Sequence, residues 1–194
     1  EAIKSYDPKP EACILATRDF MKDIEPTMKI LGNNSINVAT IAEECFYPVN
    51  TSPSIYKSLD DLFKEKGVSF TGTGAQDILC GMAPVIAVGA QHTIKKIYGL
   101  IQYNIDLYGK AVCEVIGVGK TVDQFNKKTA PSTALLNLNS NDYLAAMFGW
   151  KIKETKSTLT PIVVEKDINS QSFDGVIKAG IVSGNNSHVI TECE

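Results

Sequence analysis

Short apolar runs alternate with longer amphipathic stretches over the first part of the chain. EACILAT, residues 11–17, is an apolar run that reads as a buried strand. From Arg18 to Leu31 the apolar residues Phe20, Ile24, Met28 and Leu31 recur at helical spacing, and Gly32 supplies a stop. INVATIA, residues 36–42, is a second apolar, β-branched run. A second helix is predicted next. Ser52 can cap it, Pro53 suits its first position, and Ile55, Leu59, Leu62 and Phe63 form one stripe. Lys64 and Lys66 suit its negative end, and Gly67 the position beyond. VSFTGTG, residues 68–74, is a third strand.

The order β-α-β-α-β, with strands apolar on both faces, predicts a parallel sheet covered by helices. Right-handed crossovers then bring the C-terminal ends of the strands to one edge, where open α/β sheets bind ligands. Those ends are Thr17-Arg18, Glu43-Glu44 and Gly72-Thr73-Gly74.

The pattern changes after Gly74. Residues 77–89 (DILCGMAPVIAVG) are apolar nearly all round and predict a buried helix. KKIYGLIQYNID predicts a long strand, and Leu107, Ala111, Val112 and Val115 form a helical stripe. Thr121 and Gln124 have capping-box spacing. PSTALLNLNSNDYLAAMFGW reads as helix with turns. TLTPIVVEK, FDGVIKAGIV and SHVITE read as strands of an antiparallel sheet. The expected fold class is therefore α/β over residues 1–75, followed by an α+β part over residues 76–194.

Composition narrows the function classes. The 194 residues suffice for one ordinary domain or two small ones, and 44% apolar content fits a packed core. A net charge of -3 gives no field that would draw nucleic acid. No run approaches the ~20 apolar residues of a membrane span, and the polar opening EAIKSYDPKPE is not a signal peptide. Five cysteines form no CxxC pair, so the expectation is a reducing cytoplasm without disulfides. With two histidines, His92 and His188, both read as surface residues, no metal site is expected. The sequons at Asn33, Asn50 and Asn185 read as chance.

Few motifs carry chemistry. GVGKT, residues 117–121, lacks the glycine that a phosphate loop needs; Glu114 stands there, so a glycine turn before a helix is expected. GTGAQD, residues 72–77, has Asp77 where a dinucleotide loop has its third glycine, leaving open a plain interdomain loop or a close approach to a cofactor. Glu43 and Glu44 are the sharper feature. They end a strand at the ligand-binding edge, and Phe46 and Tyr47 could wall a pocket. A carboxylate partly desolvated there would accept a proton from an amine or water. Tyr103, Asn104, Asp106 and Tyr108 follow the predicted long strand as pocket or turn residues.

At IAEECFYPVNTSP, VSFTGTGAQD and YNIDLYGKAVCEVIGVGKT the chain resembles 2,4-diaminopentanoate dehydrogenase and the native NAD(P)-dependent amine dehydrogenases. More distantly, it is similar in architecture to dihydrodipicolinate reductase. The resemblance implies an oxidoreductase that uses NAD or NADP to deaminate an amine or diamino acid oxidatively, working as a cytoplasmic homodimer. It implies that residues 1–75 are the C-terminal part of a Rossmann domain without its glycine-rich first turn, with ~60–80 residues expected upstream. Residues 76–194 would be a substrate-binding domain that also looks cut at its end. Carried over by position, Glu44, with Glu43 as the alternative, would be catalytic. Gln76, Asp77, Tyr103, Asn104 and Tyr108 would bind substrate. Thr17, Arg18, Ala42, Gly72 and Gly74 would contact cofactor. The chain departs from the family pattern at Cys45, Cys80 and Ile116. A reductase of the same fold with another substrate, or a non-enzymatic Rossmann-derived domain, are the alternative readings.

Overall fold

The computed structural model describes residues 6–102, 104–129, 138–173 and 175–194. The chain divides into two compact units, Glu1–Lys95 with Asn139–Gly149, and Lys96–Leu138 with Trp150–Glu194.

The first unit is built on three parallel strands, β1 (Ala12–Leu15), β2 (Asn37–Thr40) and β3 (Phe70–Gly72), in that spatial order. Helix α1 (Met21–Asn33) joins β1 to β2, and α2 (Pro53–Lys66) joins β2 to β3. Met21, Ile24, Met28 and Leu31 of α1 and Leu59 and Phe63 of α2 meet Leu15, Ile36 and Val38 in one core. The apolar stripe of α1 thus begins at Met21. Phe20, expected to open it, is instead the extended residue before the helix. Gly32 does not stop α1 either. It lies inside the last turn, where an added Cβ would stand 2.7 Å from the Phe63 ring, so it allows the two helices to approach. Helix α2 begins on Pro53 and ends on left-handed Gly67, as its sequence predicts.

Two expectations are corrected here. Among the described residues the sheet is covered on one face. Two same-handed crossovers along the order β1-β2-β3 put α1 and α2 on the same side, and Ile14 on the other is 80% exposed. Residues 77–89 do not form a buried helix. They contribute to a helical run made of α3 (Ala75–Asp77), a π-turn (Ile78–Met82) and α4 (Ala83–Val88), and Ile78, Leu79 and Ile86 are exposed. Only one side of the run packs among the described residues, at Gly81 against Phe46 and Tyr143.

A further helix of this unit, numbered α7 because it follows α5 and α6 in the chain, spans Leu138–Met147. In the second unit, Ile105–Leu107 form a 3₁₀ turn, followed by α5 (Lys110–Ile116), α6 (Val122–Gln124) and a π-turn (Phe125–Thr129). The predicted capping box is present: Gln124 N donates to Thr121 Oγ1 and Thr121 N to Gln124 Oε1. Strands β4 (Ile152–Val163) and β7 (Val182–Cys193) make a long antiparallel ribbon, and β5 (Ile168–Ser170) with β6 (Gly175–Ile177) a short one. GVGKT is the turn expected of it, with Gly117 and Gly119 at positive φ.

The long strand expected in KKIYGLIQYNID is a further correction. Residues 93–102 join no ladder, and Tyr98 and Leu100 are 76% and 68% exposed. A strand needs a neighbour to take its N–H and C=O groups, and the described residues offer this segment none.

Candidate functional site

Strand β2 ends at Thr40, whose hydroxyl donates to Leu15 O and accepts from Ala42 N, so the chain turns before the glutamates. Glu43–Phe46 form a 3₁₀ turn, so the two-face alternation expected of a strand end does not apply. Successive residues of such a turn point about a third of a revolution apart. The turn lies against β3 at Gly72. A Cβ on Gly72 would stand 2.2 Å from Cys45 C and 2.3 Å from Phe46 N. Glycine at position 72 is therefore required by the neighbouring backbone.

The two glutamates have different surroundings. Glu44 is buried, and both its oxygens are occupied. Oε2 accepts from Met21 N at 2.7 Å, and Oε1 from the Ser52 hydroxyl at 2.6 Å. Met21 carries the first free N–H of α1, and Ser52 precedes the first residue of α2. Glu44 thus braces two helix N-termini, where a negative charge is favoured. Among the described residues Glu43 has no such partners. Burial, then the charges of Asp19 and Asp77, raise its pKa from 4.5 to about 7.

Asp77 ends α3, which starts directly after β3 and Gly74. It is 5% exposed, and burial raises its pKa from 3.8 to about 6. Its Oδ2 lies beside Gly74, 3.1 Å from where a Cβ would be. Among the described residues no donor bonds its carboxylate. No cation contributes to the raised pKa of either Glu43 or Asp77.

Helix α7 closes this cluster with residues the sequence did not single out. Asn139 and Tyr143, four apart, share a face. Asn139 Nδ2 donates to Glu43 O at 3.2 Å, and the Tyr143 ring meets Phe46 at 4.8 Å and Tyr47 at 6.0 Å. Gly81 makes room for Phe46, since a Cβ there would stand 2.5 Å from that ring. Phe46 and Tyr47 do belong to an aromatic wall, but its third ring comes from α7. Asp142, on the same helix, is held by Asn50, and burial raises its pKa. Asp19 was also missed: its carbonyl accepts from Glu44 N at 3.1 Å and its charge acts on Glu43, and neither leaves a mark in its local pattern.

Other expected site residues fall elsewhere. Asn104 and Tyr108 belong to the second unit, where Asn104 Oδ1 caps the 3₁₀ turn through Asp106 N and Tyr108 is 57% exposed. Asp106 accepts from Ser170 Oγ, Gln171 N and Ser172 N, which hold its pKa down and fix that turn to the β5–β6 ribbon. Tyr103 and the side chain of Gln76 lie outside the described residues. Thr17 and Arg18 are exposed just beyond the C-terminal end of β1, a setting that suits an anionic dinucleotide. Ala42 is fully buried, and the space beside Gly72 is filled by the 43–46 turn, so neither fits a direct cofactor contact through that space.

No protein-family model matches the chain. The chain is 30% identical over 179 residues to 2,4-diaminopentanoate dehydrogenase of Acetoanaerobium sticklandii, a match over 90% of this chain and 50% of that protein. It thus spans about half the length of the curated relative it matches. Its fold is similar to the solved amine dehydrogenase of Mycobacterium smegmatis, with a TM-score of 0.87 and 25% identity over 100% of this chain and 58% of that one. Both relatives bear out the resemblance to the amine and diaminopentanoate dehydrogenases that the sequence suggests.

Proposed function

We propose, starting from that relationship, that the chain is the catalytic part of an NAD(P)-dependent dehydrogenase that oxidises an amine or diamino acid to a ketone and ammonia. The observation that carries this reading is Glu43: an unbraced carboxylate with a pKa of about 7, just beyond a strand of a parallel sheet. A base poised near neutrality takes a proton from a substrate ammonium and later returns it with little driving-force penalty. Glu44, both of whose oxygens accept hydrogen bonds at helix ends, acts as the brace that positions the turn.

The steps balance as follows. Glu43 accepts a proton from the ammonium, giving the free amine. A nicotinamide bound at the sheet edge would supply the hydride acceptor. Loss of hydride from the amine-bearing carbon leaves an iminium, water converts it to a ketone and ammonium, and Glu43 passes its proton to solvent, the one proton released per turnover. Phe46, Tyr47 and Tyr143 wall the cluster and lower the local dielectric, which strengthens the hold of a carboxylate on a cationic group. Thr17 and Arg18 are proposed as cofactor contacts; Arg18 offers a planar guanidinium suited to a phosphate. A small-molecule amine as substrate and a homodimeric assembly complete the proposal.

The test follows nicotinamide reduction with 2,4-diaminopentanoate on the protein that carries this chain. Glu43→Gln should lower kcat at least ~100-fold with cofactor affinity retained, the scale expected of a lost general base. Unchanged turnover would move the base elsewhere. Absence of turnover with any amine in the wild type would overturn the assignment.

A further inference from the structure

Helix α7 reaches the glutamates from far along the chain. Asn139–Gly149 belong to the first unit, although the stretches before and after them belong to the second. Three side chains of α7 grip the segment that follows β2. Asn139 Nδ2 donates to the Glu43 carbonyl at 3.2 Å, Asp142 is bonded to the Asn50 side chain, and the Tyr143 ring meets Phe46 at 4.8 Å. Asn139 and Asp142 are buried. A helix held by packing alone presents an apolar stripe, whereas α7 meets this segment with an amide, a carboxylate and a phenol. Burying such groups is costly unless their partners stand in fixed places, so these contacts specify position more than they add adhesion.

The turn is already fastened from its other side. Glu44 ties it to Met21 and Ser52, and Gly72 seats it on β3. Those contacts fall on Glu44, Cys45 and Phe46, whereas the bond from Asn139 falls on Glu43 itself. A carboxylate serves as a base only within hydrogen-bond reach of its proton, and a misplacement of ~1 Å costs about 100-fold in rate.

We propose that Asn139 is a positioning residue for Glu43: through its bond to the Glu43 carbonyl, α7 fixes where the Glu43 carboxylate stands and keeps water from it. The proposal rests on the dehydrogenase reading for the role of Glu43 as base, and the titration of Glu43 can be followed without turnover. Burial is the largest cause of the raised pKa of Glu43, so a loosened turn that admits water lowers that pKa. The charges acting on Glu43 come from Asp19, before α1, and from Asp77 of α3. The other elements around the turn bring Asp142 and Tyr143 from α7 and Cys80 from the π-turn, and β3 brings no titratable side chain.

The test uses Asn139→Ala in the protein that carries this chain, with two readouts. One is the pH profile of kcat for nicotinamide reduction with 2,4-diaminopentanoate. The other is the titration of Glu43 by NMR of isotope-labelled glutamate carboxyls, its signal identified by loss in Glu43→Gln. Asn139→Ala should lower kcat at least ~10-fold with the cofactor KM retained. Its acid limb and the Glu43 midpoint should both move down by roughly one pH unit. Tyr143→Leu, which keeps the Asn139 bond and removes the ring on Phe46, should shift both in the same direction, and it decides the matter if Asn139→Ala does not fold. A Glu43 midpoint that stays at its wild-type value in the folded variant would overturn the proposal, whether kcat holds or falls, because a merely structural role leaves that midpoint in place. A midpoint that moves in the variants of a protein that turns over no amine would sink the dehydrogenase reading and leave the positioning of Glu43 by α7 standing.

Discussion

Glu43 and Glu44 share a turn but differ in what meets their oxygens. Two donors at 2.7 and 2.6 Å hold Glu44, so its charge is matched. Glu43 is buried, with the charges of Asp19 and Asp77 acting on it, so its own charge is resisted. Substitutions at the two adjacent positions therefore have different consequences. Glu44→Ala removes the partner of the Met21 N–H and of the Ser52 hydroxyl, and should cost about 3 kcal/mol, since each hydrogen bond to a charged group contributes roughly 1.5–3 kcal/mol. Glu43→Gln removes a resisted charge and should leave stability at pH 7.5 unchanged or raised. Urea midpoints of the two variants against wild type check this. Loss of stability in Glu43→Gln equal to that in Glu44→Ala would mean that Glu43 is also a brace.

At the scale of elements, the 43–46 turn is placed by its packing on β3, and the packing depends on the bare Cα of Gly72. A methyl group there meets backbone atoms of Cys45 and Phe46, which cannot rotate away as a side chain could. Gly72→Ala should therefore destabilise by about 3 kcal/mol, at the upper end of overpacking, and should lower activity with both glutamates intact. A melt and a rate measured on one preparation check it; a wild-type melting temperature would show that the turn can shift. The same elements show what the sequence made legible. The β-α-β-α-β order and α2 with its Pro53 start and Gly67 end could be read from local patterns, because their determinants lie within a few residues of each other. The site could be read in part. Glu43 and Glu44 stood out at a strand end beside Phe46 and Tyr47, and the resemblance favoured Glu44; the difference between the two carboxylates depends on Met21 and Ser52, 23 and 8 residues from Glu44. Asn139 reaches Glu43 across 96 residues, which no periodicity reveals. The segment around Tyr98 and Leu100 alternates like a strand, yet alternation states a preference and pairing needs a neighbour.

Over the whole molecule, buried and paired carboxylates set opposite pH dependences. Glu43 and Asp77 have folded pKa values raised to about 7 and about 6 from 4.5 and 3.8. Between the two values of each group the folded state holds a proton that the unfolded state has released. Stability therefore falls as pH rises through that interval, by about 2–3 kcal/mol per group at one pKa unit per 1.36 kcal/mol, with some loss to their mutual coupling. Asp106 and Asp167 are shifted the other way, Asp106 first by Ser170 and Asp167 first by Lys178. Their contribution is present above pH 3.8 and is lost as pH falls below it. The two sets together place the stability maximum near pH 4 rather than at neutrality. Urea midpoints from pH 4 to 8 should rise towards that value from the alkaline side. The slope between pH 5 and 7 should become shallower in Glu43→Gln and again in the double variant with Asp77→Asn. A midpoint that is flat from pH 5 to 7.5 in the wild type would mean that the two carboxylates are not held in the desolvated, like-charged setting that makes this cluster a receptor for amines.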